Sequence, residues 1–235
     1  MKKILFVLSS ATHWILRDGT QHPTGFWAEE LVTPHKLFRQ AGYQITLATP
    51  DGALSQVDPL SLSLEMNGGN STSIEAFRDY LETIKNDLKA PKKLSDLQPS
   101  DYDVMFIPGG HGPMQDLAND VSIGQFLIQT LEQPNVILAS VCHGLASFLT
   151  ATRADGTWAF AGRRLTAFLN LEETQVGFAS VAPWLLEDRL RQNGAHFEAA
   201  KEWSSHIVTD GNLITGQNPA SADAAARAVI AKLNA

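Results

Sequence analysis

Short apolar runs recur along the chain and alternate with segments of helical periodicity. In the strongest runs the hydrophobicity is continuous rather than alternating, which is typical of strands buried on both faces of a parallel sheet. Seven strands are therefore predicted. The strong runs are residues 4–8, 43–48, 104–107 and 136–139, and the weaker ones are residues 164–167, 206–208 and 212–215.

The segments between these runs place apolar residues three or four positions apart, as one face of an α-helix requires. Gly42 is expected to end the first helix, and residues 72–75, Thr-Ser-Ile-Glu, form a predicted capping box for the second. Pro34 lies inside the first helix and is expected to kink or restart it. The predicted helices are residues 26–40, 74–88, 122–132, 144–151, 183–192 and 220–233.

The alternation of strands and helices predicts an α/β fold with a doubly wound, mostly parallel sheet sandwiched between helices. The chain has 235 residues, of which 44% are hydrophobic and 18% charged, enough to bury a full core. Because it contains no internal repeat and no Gly/Ser linker, residues 1–235 are predicted to form one domain. Residues 51–73 are polar and are expected to form a surface excursion that either walls a pocket or is a solvated connection.

The net charge and the lengths of the apolar runs exclude several classes of partner. The net charge is −7, and basic residues cluster only in short pairs such as Lys92-Lys93, so neither nucleic acid nor an anionic membrane is an expected partner. The run at residues 4–8 is too short for the hydrophobic region of a secretory leader, and no run approaches a membrane span. The single cysteine, Cys142, cannot form an intrachain disulfide. A cytoplasmic location is therefore expected.

The lone cysteine lies where a buried strand runs directly into a predicted helix. This arrangement is typical of a nucleophile elbow, in which a sharp turn presents the side chain at the carboxyl edge of the sheet. Partial positive charge at the helix N-terminus favours a thiolate. An isolated cysteine is otherwise often a small buried hydrophobe, but the turn position and the adjacent His143 favour a functional Cys142.

A glycine-rich loop over residues 107–113 follows another predicted strand. The amides of Gly109 and Gly110, together with the amide of His143, are candidates for an oxyanion hole at the same sheet edge. A tight turn without further function is the alternative interpretation. The spacing matches neither a dinucleotide-binding fingerprint nor a phosphate-binding loop, so nucleotide binding is not predicted.

Two further groups of residues could carry chemistry. Glu29 and Glu30 lie early in the first helix, where carboxylates commonly stabilise a helix N-terminus. Seven histidines are present, but His13, His22 and His35 form no pair at i, i+4 and no cluster with cysteine. We therefore expect no required metal.

Together these stretches resemble the ThiJ/PfpI superfamily, which has a flavodoxin-like, class I glutamine amidotransferase-like fold, and more specifically its heat-shock glyoxalase III branch. The resemblance runs over essentially the whole chain. Five ordered motifs carry it, namely residues 3–10, Thr24-Gly25 with Glu30 and Pro34, Pro108-Gly109-Gly110-His111-Gly112, Val141-Cys142-His143-Gly144, and residues 213–221.

The resemblance implies roles for particular residues. Cys142 would be the nucleophile, His143 its partner base, and Glu30 a protonated carboxyl beside the sulfur. An acid that orients His143 would be Glu173, with the adjacent Glu172 as the alternative. A raised pKa of the glutamate beside a lowered pKa of the cysteine is the expected physical signature.

The implied activity is that of a glyoxalase III-type lyase, which converts methylglyoxal, a small-molecule 2-oxoaldehyde, to lactate without glutathione or another cofactor. A homodimer is also implied. The same cysteine chemistry could act as a deglycase on early glycation adducts.

Other classes of function stay open at this stage. Relatives act as holding chaperones through exposed apolar surface, or as redox-responsive stress proteins through the thiolate. The string His196-Phe197-Glu198 fits the remainder of a cysteine amidohydrolase triad, although its surroundings indicate the start of a strand. A cysteine peptidase is the remaining alternative. A chaperone is expected to tolerate Cys142→Ala, whereas an enzyme is not.

Overall fold

The computed structural model describes residues 1–235, with eleven strands and eight α-helices. The strands are β1 (Lys3–Val7), β2 (His13–Ile15), β3 (Gln21–Pro23), β4 (Gln44–Thr49), β5 (Lys92–Lys93), β6 (Val104–Ile107), β7 (Ile137–Val141), β8 (Arg164–Leu165), β9 (His196–Phe197), β10 (Ile207–Asp210) and β11 (Leu213–Gly216). The helices are α1 (Ala28–Gln40), α2 (Ser71–Thr83), α3 (Lys85–Lys89), α4 (Gly112–Gln115), α5 (Val121–Leu131), α6 (Asn170–Gln175), α7 (Leu186–Gln192) and α8 (Ala222–Leu233). None of the helices has the length and apolarity needed to span a membrane.

Seven strands form the central sheet in the order β10-β11-β7-β6-β1-β4-β5. Every neighbouring pair is parallel except β10 and β11, which are antiparallel at one edge. The predicted α/β fold with a mostly parallel sheet is therefore confirmed.

Helices cover both faces of this sheet, as the residues of β1 illustrate. Leu5 and Val7 belong to the hydrophobic cluster on the face covered by α5 and α7. Ile4, Phe6 and Leu8 belong to the cluster on the other face, covered by α1 and α8. Because successive side chains of a strand point to opposite faces, a strand buried on both sides must be apolar at every position. The continuous apolar run at residues 4–8 follows from this burial.

The direction of chain progression reverses at β1. The chain first adds β4 and β5 on one side of β1, and then adds β6, β7 and β11 on the other side. In open parallel sheets such a reversal leaves a crevice at the carboxyl ends of the strands, where ligands bind. The segments that follow β1, β6 and β7 therefore meet at this edge.

Two details of the first helices differ from the predictions. α1 runs without interruption through Pro34, so the expected restart does not occur. The predicted helix over residues 74–88 is divided into α2 and α3. The predicted capping box at residues 72–75 does not form, because α2 begins earlier. The Asn70 side chain accepts a hydrogen bond from the Ser73 amide instead.

Short elements account for the remaining differences. The helix predicted at residues 144–151 is a 3-10 helix over Cys142–Thr150. The run at residues 164–167 contributes only β8, which pairs with β9 outside the central sheet. The hairpin of β2 and β3 was not predicted. Two- and three-residue strands leave too short a pattern of side chains to be distinguished from loops.

Candidate active site

The chain turns sharply at Cys142, where β7 passes into the 3-10 helix. Cys142 has φ 56°, a left-handed conformation that costs a non-glycine residue about 1–3 kcal/mol. Gly144 allows the turn to pack closely, because a Cβ there would lie 2.5 Å from Ile107 O and 2.7 Å from Ser140 Oγ. The turn is therefore held tightly against the end of β6, as in the predicted nucleophile elbow.

The glycine loop after β6 fits between the elbow and the segment that leads into α1. A Cβ on Gly109 would lie 2.7 Å from His143 N and 2.8 Å from Glu30 Oε2, so only glycine fits. On the other side, the Trp27 amide donates a 2.9 Å hydrogen bond to Gly109 O. This contact fixes the start of α1 and brings Glu30 to the elbow.

Glu30 is fully buried, and its two carboxyl oxygens have different surroundings. Oε2 accepts the Gly109 amide at 2.6 Å, whereas Oε1 has no hydrogen-bond partner. Burial raises the pKa of Glu30 to about 8, so the carboxyl group is protonated at neutral pH. The Gly109 amide donates to Glu30 in this structure, so it is not free to serve an oxyanion in this arrangement. The amides of Gly110 and His143 stay candidates.

The Cys142 thiol is buried beside Glu30 and His143. Its Sγ lies 3.3 Å from His143 Nδ1. Burial and the neighbouring Glu30 raise the pKa of Cys142, and the hydrogen bond from the His143 backbone only partly opposes them. The predicted lowering of this pKa is therefore wrong, because loss of water outweighs the helix N-terminus. The resting cysteine is a thiol that needs a base.

Glu173 joins two imidazoles. Its Oε2 lies 2.6 Å from His143 Nε2, and its Oε1 lies 2.9 Å from His111 Nε2. Burial opposes ionisation of Glu173, but the two histidines outweigh it and hold its pKa well below the usual range. An ionised carboxylate can only accept, so His143 Nε2 carries the hydrogen. His143 Nδ1 is then left with a free lone pair that faces the Cys142 sulfur.

His111 completes this group, although sequence reasoning did not single it out. Its ring stacks on the Trp14 indole at a centroid distance of 4.5 Å and an interplanar angle of 7°. Burial alone would lower the pKa of His111, but Glu173 outweighs burial and raises it. The pKa of His143 is lowered by burial and by His111, while Glu173 opposes both. The position of His111 in the glycine loop at the carboxyl edge was the available signal.

The neighbouring Glu172 has a different set of contacts. Its carboxylate accepts the backbone amides of Leu169 and Trp203. It also accepts the side-chain amides of Gln217 and Asn218, which belong to the motif at residues 213–221. Of the two adjacent glutamates, Glu173 contacts His143. Glu172 instead links the surrounding loops through its hydrogen bonds.

A narrow, mostly apolar cavity of about 10 Å³ lies at the sulfur. Leu60 and Met66 come from residues 51–73, so this excursion walls a pocket, one of its two expected roles. No lysine, arginine or carboxylate lines the cavity. Its apolar walls are Trp27, Leu60, Met66, Phe168, Val176 and Trp203.

His111, His143 and Glu173 are also the side chains that could hold a metal ion, because their potential ligand atoms lie within 4.8 Å of one another. Two histidines and one carboxylate are a common ligand set for zinc and iron. However, both Nε2 atoms and both carboxylate oxygens already form hydrogen bonds within the group. Metal binding would have to displace those bonds.

A strained cysteine at the end of a parallel strand, with a histidine and an ionised carboxylate in line behind it, defines an α/β protein of the cysteine-elbow class. The chain belongs to the DJ-1/PfpI family, which it matches over residues 23–232. The resemblance inferred from the motifs is thereby confirmed.

Individual relatives match over nearly their full length. The chain is 30% identical to glyoxalase 3 of Candida albicans over 237 residues, covering 98% of each chain. It is 31% identical to glutathione-independent glyoxalase hsp3101 of Schizosaccharomyces pombe, covering 97% of this chain and 94% of the relative. The crystal structure of glyoxalase III from Candida albicans superposes with a TM-score of 0.82 and 28% identity, covering 98% and 97% of the two chains.

Proposed function

We propose that this protein is a glutathione-independent glyoxalase that converts methylglyoxal and related 2-oxoaldehydes to 2-hydroxy acids. The observation that carries the proposal is the buried thiol of Cys142, flanked by a free imidazole nitrogen at 3.3 Å and by the protonated carboxyl of Glu30. An apolar cavity opens at this sulfur. The names of two full-length relatives at about 30% identity support the same activity.

The first step is addition of sulfur to the aldehyde carbon. His143 Nδ1 takes the thiol proton, and the resulting thiolate forms a C–S bond while the carbonyl electron pair moves to oxygen. The backbone amides of Gly110 and His143 stabilise this oxyanion. The imidazolium then returns its proton to the oxygen, which gives a hemithioacetal and a neutral His143.

The second step moves hydrogen between the two carbons. His143 removes the proton from the former aldehyde carbon while Glu30 protonates the ketone oxygen, which gives an enediol. His143 then delivers its proton to the former ketone carbon, and Glu30 recovers its proton from the hydroxyl on the sulfur-bearing carbon. The product is a thioester, which water hydrolyses to lactate with return of the thiol.

Glu173 and His111 fix the orientation and the tautomer of the base, His143. The ionised Glu173 holds the hydrogen of His143 on Nε2, and so keeps Nδ1 available for the thiol proton. His111 holds the second oxygen of Glu173. Both are therefore positioning residues in the proposed mechanism.

The proposed reaction needs no redox cofactor, because oxidation of the aldehyde carbon is matched by reduction of the neighbouring ketone carbon. The net change is addition of water followed by loss of a proton, which places the enzyme among the lyases of the glyoxalase III type. We include in the proposal a homodimer, implied by the family resemblance, and a cytoplasmic location, expected from the single cysteine.

The test is lactate formation from methylglyoxal without glutathione or added metal. We expect Cys142→Ala and Glu30→Gln each to lower kcat/KM by at least ~100-fold, about 2.7 kcal/mol of transition-state stabilisation. Glu29→Gln is the matched control, since Glu29 is adjacent and half-buried but makes no hydrogen bond in the site. Retention of activity by Cys142→Ala would contradict the proposal.

Two alternative functions find less support. His196 is exposed and Glu198 pairs with Arg164, and neither residue lines the Cys142 cavity, so no amidotransferase triad forms. A chaperone surface built from aromatic residues is disfavoured because Trp14 and Trp27 are buried. Protection from aggregation that survives Cys142→Ala, in a protein without glyoxalase activity, would reverse this ranking.

A further inference from the structure

Trp203 has an unusual backbone conformation at the rim of the Cys142 cavity. Its φ is 60°, and a bulky residue in this left-handed region costs about 1–3 kcal/mol. The Trp203 amide donates a 2.8 Å hydrogen bond to Glu172 Oε1, and Glu172 is fully buried. The Glu172 contacts with Gln217 and Asn218 anchor that carboxylate. The fold therefore holds Trp203 in a strained conformation through a buried anchor.

The indole of Trp203 separates the cavity from solvent. Its ring packs edge-on against Phe168 at a centroid distance of 5.7 Å, and its Nε1 donates to Gln175. One side of the residue lines the cavity with Cys142, while 37% of its surface is exposed. The Trp203 side chain therefore forms the outer wall of the cavity and is fixed by its contacts with Phe168 and Gln175.

The space behind this wall favours one chemical class of substrate. The cavity is narrow, about 10 Å³, and its walls are mostly apolar. The lining holds no lysine, arginine or carboxylate, and its two histidines are already paired with Glu173, so a charged group carried into the cavity would lose its water with little compensation. A bulky group on the substrate would have to displace Trp203 or Phe168. Small, uncharged carbonyl compounds need the least movement of these walls and carry no charge to desolvate.

We propose that Trp203 is a specificity-determining residue that closes the Cys142 cavity and restricts its substrates to small, uncharged 2-oxoaldehydes with short alkyl substituents. Aromatic 2-oxoaldehydes and aldehyde adducts carried on peptides or nucleotides are excluded by size and charge. The inference deepens the proposed glyoxalase function and, as to substrates, rests on it.

The first experiment compares kcat/KM for methylglyoxal and phenylglyoxal in wild type, Trp203→Ala and Trp203→Gly. Glycine accepts the positive φ without strain, so this variant keeps the fold while it removes the wall. We expect the ratio of phenylglyoxal to methylglyoxal kcat/KM to rise at least ~10-fold in both variants, about 1.4 kcal/mol. Trp184→Ala is the matched control, because Trp184 lies under the Arg189 guanidinium and does not line the cavity.

A second experiment does not depend on turnover. Cys142 is the only cysteine, so alkylation reports on this cavity alone. We expect wild type to react with iodoacetamide much faster than with N-phenylmaleimide, relative to a small free thiol, and both Trp203 variants to lose at least ~10-fold of that discrimination.

The two experiments separate the inference from the proposed function. Suppose that wild type forms no lactate but still discriminates reagents by size in a way that depends on Trp203. This result would overturn the glyoxalase proposal and the substrate class, but it would support the role of Trp203 in closing the cavity. Normal turnover of methylglyoxal with an unchanged substrate ratio and unchanged alkylation discrimination in folded Trp203 variants would overturn the inference alone.

Discussion

Glu30 and Glu173 are both buried in the site, yet they differ in protonation because their neighbours differ. Glu30 accepts one backbone amide and has no cation beside it, so burial raises its pKa to about 8. Glu173 receives hydrogen bonds from two imidazoles, which lower its pKa despite burial. One carboxyl group is therefore a proton donor and the other a fixed negative charge. Such a separation allows one site to supply both acid and base functions.

At the residue scale, Glu30→Gln is expected to change how stability depends on pH. The folded-state pKa of Glu30, about 8, lies above the ordinary value of 4.5. Between these values the folded protein binds a proton that the unfolded chain does not, so the stabilisation present below the lower value is lost as pH rises through the higher one. Wild type should therefore lose at least about 2 kcal/mol more unfolding free energy than Glu30→Gln from about pH 5 to about pH 9.

Urea denaturation at the two pH values provides the measurement. Glu29, whose pKa burial raises to about 7, is present in both proteins, so its contribution cancels in the comparison. Parallel stability curves for the two proteins would show that Glu30 is ionised in the native state.

His111→Gln tests the second imidazole. Gln can still donate to Glu173, but the charge of His111, which lowers the pKa of His143, is removed. The groups that act on His143 are then Glu173, Glu172 and Cys142. We expect the pKa of His143 to rise, which would move the acid limb of the kcat/KM profile to higher pH, because the base must be neutral.

The pH profile distinguishes this effect from a general loss of structure. His22→Gln is a suitable control, because His22 packs against Phe178 and has no contact with Glu173. If the acid limb is unchanged in His111→Gln, His111 has no part in setting the protonation of the base.

At the scale of elements, the site depends on the junction between β7 and its 3-10 helix. The left-handed Cys142 lies between a strand held on both sides by β6 and β11 and a helix packed into the core. These elements hold a conformation that an isolated segment would not adopt. The strained turn is therefore maintained by packing around it.

Gly144→Ala is expected to disturb this junction. The added Cβ would lie 2.5 Å from Ile107 O and 2.9 Å from Pro108 O, so backbone must move. We expect a loss of about 2 kcal/mol or more in unfolding free energy, together with a large loss of activity. Denaturant unfolding and methylglyoxal turnover measure the two effects.

Gly156→Ala serves as the comparison. Gly156 has φ 82° and nothing within 4 Å of the added Cβ, so only backbone strain of about 1 kcal/mol is expected. Equal losses of stability in the two variants would show that close packing at the elbow is unimportant.

At the scale of the whole molecule, the order of strands brings the parts of the site together. The loops after β6 and β7 are neighbours in the sheet but are separated in sequence, and α1 adds Glu30 from a third region. The same sheet carries a hydrophobic cluster on each face. Loss of the sheet would expose both clusters at once.

We therefore expect the 235 residues to unfold as one cooperative unit. Far-ultraviolet circular dichroism and the fluorescence of the five tryptophans should give coincident denaturation curves. Two separated transitions would contradict the prediction of one domain and would show that the two clusters are independent.

Much of the architecture could be predicted because it depends on neighbours in the chain. The runs at residues 4–8 and 104–107 correspond closely to β1 and β6, since full burial requires continuous apolar residues. The place of Cys142 at a strand end followed from the same pattern. The pairing of β8 with β9 depends on contacts that the pattern does not distinguish. The early start of α2 at Ser71 depends on a cap, Asn70, that the pattern does not distinguish either.

The sequence by itself determined the fold class, the family and the cysteine at the elbow, because apolar periodicity and local motifs encode them. Only the tertiary structure decided which ionisable groups meet. Glu172 and Glu173 are chemically identical neighbours, and the backbone turns only one of them toward His143. His111 reaches Glu173 across 62 residues, and Glu30 reaches Gly109 across 79. Burial together with these distant partners sets the pKa values, and neither is a property of a local stretch of chain.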